Sequence, residues 1–270
     1  MSRSPRVFYT SDIHLGHGRV ADLRGFTSTR DHDRAIADGW RSEVTDRDTV
    51  YVLGDVAVSG FTYALEFLAG LPGRKHLIAG NHDPVHPMHR RTFAGKLPAF
   101  LDVFETVSPF LRRKLAGREL LLSHFPYVEW GDGPGREGSR YEQYRLPDLG
   151  TPLLHGHTHG TEQGHGHSLH IGVDAWGLAP VSQDHVIDWL DELASYRSDA
   201  SIARANGIEL APFTWTPDDE TLPYDLRPVA QRPEELGEWC GLCRECCPPN
   251  GYADAPCGRL HDCLMCEAKR

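Results

Sequence analysis

Over the first 190 residues, short β-branched and apolar runs alternate with stretches whose apolar side chains recur every three or four positions. Arg6-Val7-Phe8-Tyr9-Thr10-Ser11 predicts a strand ending at Asp12. The following His14-Leu15-Gly16-His17-Gly18-Arg19 is too glycine-rich to open a helix and reads as a loop. Ala35, Ile36, Trp40 and Val44 fall at helical spacing and predict a helix over residues 31–44. Thr49-Val50-Tyr51-Val52-Leu53 is a continuous run of the buried-strand type, ending at Gly54-Asp55. A second helix over residues 62–71 stops at Pro72-Gly73. His76-Leu77-Ile78-Ala79 is then the next strand, ending at Gly80-Asn81-His82-Asp83.

Beyond residue 84 the pattern is less regular. Residues 100–107 and 109–115 predict a strand pair, with Arg112-Arg113-Lys114 on its solvated face. Glu119-Leu120-Leu121-Leu122 delivers Ser123-His124, and residues 131–139, with four glycines and Pro134, read as a loop able to act as a lid. Pro152-Leu153-Leu154 delivers Gly156-His157-Thr158-His159. Residues 169–174 predict the last central strand, and Val186, Ile187, Leu190 and Leu193 a closing helix. Strands alternating with helices, with polar residues at the strand ends, predict an α/β domain with its site on one rim of the sheets. The expected organisation is a catalytic domain over 1–198, a Pro-rich acidic linker over 199–238 and a Cys-rich module over 239–270.

The strand ends carry the chemistry. Asp12, His14, Asp55, Asn81, His124, His157 and His159 supply enough oxygen and imidazole donors for two divalent ions. Asp12-x-His14 alone is an ordinary turn composition and Gly80-Asn81-His82-Asp83 alone is far more specific, but five motifs in succession, each closing a strand-like run, are not ordinary loops. Mixed oxygen and nitrogen donors select Mn, Fe, Co, Ni or Zn over Mg or Ca. Two such ions about 3.5–4 Å apart clamp a nucleophile and phosphoryl oxygens in an in-line displacement, and Asp55, alone after its strand, is the natural bridge. His157 and His159, two apart on an extended turn, are expected to direct their rings to opposite sides. His82, beside Asp83, is expected to be held protonated and to donate to a leaving oxygen. His17 and Arg19 are candidate substrate contacts, and His165, His167 and His170 are expected on a surface hairpin.

The series Asp12-x-His14, Gly54-Asp55, Gly80-Asn81-His82-Asp83, Ser123-His124, Gly156-His157-Thr158-His159 resembles the calcineurin-like metallophosphoesterases, over about residues 6–190. Gly172-Val173-Asp174-Ala175-Trp176 also looks like the closing part of small bacterial and phage-type members. The resemblance implies a four-layer α/β/β/α sandwich around a dinuclear centre. Asp12, His14, Asp55 and His159 would bind one ion, and Asp55, Asn81, His124 and His157 the other. His82 would contact the substrate phosphate and act as general acid, oriented by Asp83. The implied activity is hydrolysis of a phosphodiester or phosphomonoester by metal-activated water. The alternatives are a nuclease or nucleic-acid end-processing enzyme and, from a different class, a non-catalytic scaffold.

All seven cysteines lie in the last stretch: Cys240, Cys243, Cys246, Cys247, Cys257, Cys263 and Cys266, with His261 among them. Paired Cys-x-x-Cys elements at this separation fit one or two structural zinc ions, an iron–sulfur cluster being the main rival. The odd count, with no export signal, argues against a closed disulfide framework. A formal net charge of -10 gives no overall basic field for nucleic acid or an anionic membrane. The expected substrate is therefore a phosphate-ester small molecule or nucleotide, with a protein partner for the Cys-rich module. No run approaches the roughly 20 apolar residues of a membrane span, and the chain reads as soluble and cytoplasmic.

Overall fold

The computed structural model describes residues 4–133 and 138–217. Eleven strands and five α-helices follow in order among them. β1 (Val7–Thr10), α1 (Gly18–Leu23), α2 (Thr29–Glu43), β2 (Thr49–Val52), α3 (Phe61–Ala69), β3 (Arg74–Ile78), α4 (Phe93–Leu101) and β4 (Thr106–Ser108) form the first half. β5 (Phe110–Leu115), β6 (Arg118–Ser123), β7 (Leu153–His155), β8 (Gly164–His165), β9 (Ser168–His170), β10 (Val181–Ser182), α5 (Gln183–Ala205) and β11 (Thr214–Trp215) complete it.

The strands make two sheets, ordered β10-β1-β2-β3-β4 and β11-β8-β9-β7-β6-β5. β1 through β4 are parallel, in register Phe8 to Val50 and Val52 to Leu77, so their carboxyl ends share one rim. β6, β7 and β9 are also mutually parallel. Side-chain alternation splits the core. Phe8, Val50, Val52 and Leu77 pack on α2, α3 and α4 through Ile36, Trp40, Leu65, Leu68 and Phe100. Tyr9, Leu53 and Ile78 instead meet Leu120, Leu122, Leu154 and Leu169 of the second sheet, with Val186, Trp189 and Leu190 of α5. The architecture is the expected α/β sandwich of two sheets flanked by helices. No helix among the described residues is long and apolar enough to cross a membrane.

Several expectations need correction. The stretch after His14 does open a helix, α1, because His17 Nδ1 accepts from the Val20 N–H and caps it. Residues 100–107 are not one strand: α4 runs to Leu101, burying Phe100, and only Thr106–Ser108 is extended. β4 and β5 do not pair with each other but belong to different sheets, β5 forming its hairpin with β6. On that hairpin Arg112 pairs with Glu119, whereas Arg113 lies over the Tyr51 ring at 4.4 Å. The segment 169–174 is a strand only to His170, then a 3-10 turn, Val173–Ala175. The boundary near Ser198 falls inside α5, and Phe213 and Trp215 enter the core, so the folded unit includes part of the expected linker. Residues 239–270, with every cysteine, lie outside the described residues.

Candidate metal centre

The rim is built by chains leaving parallel strands. Asp12 N–H donates to the Gly54 carbonyl (3.0 Å), His14 N–H to that of Asp55 (3.0 Å), and Leu15 N–H to that of Val56 (2.9 Å), so the two loops continue the ladder beyond β1 and β2. Asp12, His14, Asp55, His157 and His159 all take positive φ, between 51° and 71°. Side chains rarely adopt this left-handed region, which turns each donor inward from its strand tip. His157 and His159 are therefore not on an extended turn, yet their rings do serve opposite sides. Gly156 is required by space rather than by φ: a Cβ there would collide with Ser11 Oγ and Asp12 Oδ2.

All seven predicted side chains converge and are buried, Asp12, His14 and His124 completely. Two groups, Asp12-His14-His159 and Asp12-Asp55-His124, have ligand atoms within 4.8 Å of one another, close enough to hold a metal ion. The hydrogens settle how they fit. His124 Nδ1 lies 2.7 Å from the Leu53 carbonyl, which only accepts, so Nδ1 carries the proton and Nε2 presents a lone pair. His157 Nε2 lies 3.2 Å from Asp132 Oδ1, which leaves Nδ1 bare. That Nδ1 faces His124 Nε2 at 3.3 Å, Asn81 Oδ1 stands 3.1 Å from the same Nε2, and Asp55 Oδ2 stands 3.5 Å from it. Four lone-pair atoms thus point together with no imidazole hydrogen among them, an arrangement that a cation satisfies. On the other side His159 Nδ1 donates to Asp174 Oδ2 (2.9 Å), so Nε2 is the nitrogen turned to the centre, facing His14 Nε2 at 3.2 Å. Asp12 Oδ1, buried and without a hydrogen-bond partner, stands 3.8 Å from that nitrogen.

In the metal-free protein the electrostatics divide: Asp55 keeps a proton that a cation would displace, and His159 lies above its ordinary value, burial lowering it but Asp174 and Asp12 raising it more. Burial pushes Asp55 well above the usual carboxylate range and the adjacent Asp12 adds to it. Asp12 stays below its ordinary value although burial opposes, because His159 and His124 face it. Burial holds His124 below its ordinary value and His157 down to about 3, so both are neutral, as ligands must be.

His82 sits at the open side, with 18% of its side chain exposed and Nε2 3.9 Å from Asp55 Oδ2. It is not held protonated in the free protein: burial first, then His17 and His124, drive its basicity well down. Nor does Asp83 orient it. The Asp83 carboxylate accepts from the N–H groups of Asp55 (2.9 Å), Gly80 (2.7 Å) and Val56 (3.2 Å), fixing the two loops to each other. His17 caps α1 and is buried, its ring 6.1 Å from that of His14, and Arg19 lies half-buried in the same short helix. His165 is exposed and His167 bonds Asp148 at 2.8 Å, as a surface hairpin requires, but His170 is buried, its ring 5.4 Å from that of His155.

Four residues supporting the site escaped the sequence reading. Asp174, which backs His159, is gripped by Arg24 through two 2.7 Å bonds. Arg24 also donates to the carbonyls of Asp12 (2.8 Å) and Ile13 (3.2 Å) and to His32 Nε2 (3.0 Å). Asp132, which backs His157, is paired with Arg145 and Arg140. Arg145 further donates to the Gly131 and Arg140 carbonyls at 2.8 Å, and Gly131 N–H donates to Ser139 Oγ at 3.0 Å. The described ends of the loop expected to be a lid, residues 131–133 and 138–139, are thus tied to the site through Asp132. Only Asp174 carried a sequence signal, as part of Gly172-Val173-Asp174-Ala175-Trp176.

No protein-family model matches the sequence. The gene 66 protein of Mycobacterium phage L5 is 41% identical over 203 residues, 69% of this chain and 95% of the phage protein. The gene 66 protein of Mycobacterium phage D29 is 41% identical over 192 residues, 66% of this chain and 92% of its own. Among solved structures, a protein of unknown function from Aquifex aeolicus shares the fold. It has a TM-score of 0.52 at 21% identity and covers 69% of this chain and all of its own. With nearly the whole L5 protein aligned at that identity, the chain belongs to the family of the mycobacteriophage gene 66 proteins.

Proposed function

We propose that the protein is a metal-dependent phosphoesterase of the calcineurin-like kind, hydrolysing a phosphodiester or phosphomonoester of a small molecule or nucleotide. The observation that carries this reading is the meeting of Asp55 Oδ2, Asn81 Oδ1, His124 Nε2 and His157 Nδ1 with no imidazole hydrogen among them, beside the Asp12-His14-His159 group. Asp12, His14, Asp55 and His159 would hold one divalent transition-metal ion, and Asp55, Asn81, His124 and His157 the other. Ions bound there supply an activated water at neutral pH and positive charge facing the phosphoryl oxygens. Asp83 keeps the Asp55 and Asn81 loops in register, which would hold the Asp55 carboxylate in place for both ions. His82, partly exposed beside Asp55, would contact a phosphate oxygen arriving from the open side. Neutral in the free protein, it gains a proton when the substrate's negative charge is placed beside it, and passes that proton to the leaving oxygen. On cysteine spacing, residues 239–270 are assigned to a structural zinc module.

Turnover of a generic aryl phosphate diester and monoester by the full chain tests this. Asp55→Asn and His82→Ala are each expected to lower kcat about 100-fold or more, with metal content falling only in the first. Undiminished turnover in Asp55→Asn overturns the shared-carboxylate assignment. Nucleotides and oligonucleotides assayed in parallel with added Mn separate small-molecule from nucleic-acid substrates.

A further inference from the structure

The two histidines of Gly156-His157-Thr158-His159 have supports of the same kind from unrelated parts of the chain. His159 donates from Nδ1 to Asp174, held by Arg24, and His157 donates from Nε2 to Asp132, held by Arg145. Because the two rings bond their carboxylates through opposite nitrogens, the other nitrogen of each is the one that faces the centre. His159 offers Nε2 toward His14, and His157 offers Nδ1 toward His124. Both arginines are almost fully buried, with side-chain exposures of 1% for Arg24 and 0% for Arg145. Neither pair is therefore a solvated surface contact of little consequence.

The supports of the braces do not overlap. Arg24 is anchored on the Asp12 and Ile13 carbonyls and on His32, whose Nδ1 donates in turn to Asp33 at 2.8 Å. Arg145 is anchored on the Gly131 and Arg140 carbonyls. We infer that Asp174–Arg24 and Asp132–Arg145 are separate positioning braces, each fixing the tautomer and ring direction of one histidine and thereby the retention of one ion. A ligating imidazole whose second nitrogen donates to a carboxylate is oriented and made more basic, and losing such a partner typically weakens metal binding about 10- to 100-fold.

The inference rests on the two-ion reading, and one experiment separates their failures. Metal-free full-length protein is titrated with Mn2+ alone, which suits oxygen donors and disfavours the soft thiolates of the cysteine segment. Affinity and stoichiometry come from calorimetry, and the spin-coupled signal of a paired Mn2+ centre from electron paramagnetic resonance. Wild type is expected to bind two ions with a coupled spectrum. Asp132→Asn and Asp174→Asn should each keep one ion, weaken the other about 10- to 100-fold, and show the uncoupled spectrum of a lone ion. The double variant should weaken both ions. A double variant no worse than either single one, or two tight, coupled ions in both single variants, overturns the separate braces while leaving the two-ion reading intact. Wild type without a coupled pair overturns both. Should Asp174→Asn not fold, because Arg24 is left against a neutral amide, Asp132→Asn decides alone. Loss of one ion supports the inference, and retention of both with coupling overturns it.

Discussion

Asp12, His14, Asp55, His157 and His159 each hold a left-handed backbone conformation that costs about 1–3 kcal/mol for a residue with a side chain. The surrounding hydrogen bonds hold them there, including His157 N–H to Asp12 Oδ2 (2.9 Å) and His82 N–H to Asp55 Oδ1 (2.9 Å). Gly156 sits at the tightest point of this arrangement. Gly156→Ala is expected to displace Asp12, lowering stability by about 1–3 kcal/mol and abolishing tight binding of the ion on the His159 side. Urea denaturation and Mn2+ titration of the variant check both outcomes. The residues that converge at the candidate centre are visible in the sequence because each motif pairs an oxygen or imidazole group with a small residue at the end of an apolar run. Asp132 and Arg145 are not. Nothing local distinguishes an aspartate in a glycine-rich loop that reaches an imidazole from one facing water.

At the scale of elements, the parallel register of β1 to β4 brings their ends to one rim, and α2 backs that rim from outside. His32 and Asp33 of α2 are buried, Asp33 accepting from Gly16 N–H (3.0 Å) and Tyr63 Oη (2.8 Å), so the helix steadies the loop after His14. Its N-terminus is capped by Ser28, whose Oγ accepts from Asp31 N–H at 3.1 Å. Ser28→Ala is expected to lower stability by about 1 kcal/mol, read as a reduced urea midpoint with an unchanged slope. Helix α2 was found from the sequence because its apolar positions are strongly periodic. Helix α4 was not, since Pro98 lies inside it and Phe100 is its one buried residue. Likewise α1, six residues long, depends on the His17 cap rather than on any apolar pattern.

At the scale of the whole molecule, the metal-free protein buries an unusual number of neutral imidazoles. Burial holds His86, His155 and His157 at about 3 and His17 and His170 at about 4, against an ordinary 6.5. As pH falls below 6.5 the unfolded chain takes up protons that the native protein refuses, so the stability present above 6.5 is progressively lost toward pH 4. Asp83, raised to about 7 by burial and Asp55, has the opposite sign, since its native form keeps a proton that the unfolded chain releases above 3.8. Asp55 acts in the same direction. His159, raised by Asp174 and Asp12 although burial opposes, has the same sign as these two carboxylates, and the five imidazoles outnumber the three groups together. Chelator-treated protein is therefore expected to show a lower urea midpoint at pH 5 than at pH 7.5, and equal midpoints would contradict the account.

The order and chemistry of the ligand motifs, the alternation of strand and helix, and the oxygen-and-nitrogen character of the centre follow from the sequence alone. They are local properties, written in residue type and period. Which tautomer each histidine holds, that Asp83 binds backbone rather than His82, and that Phe213 and Trp215 close the core were decided by the tertiary structure. Each depends on partners brought together from distant parts of the chain, as when Arg24 meets Asp174 across 150 positions. Such meetings are set by how the two sheets pack, which no single stretch of sequence encodes.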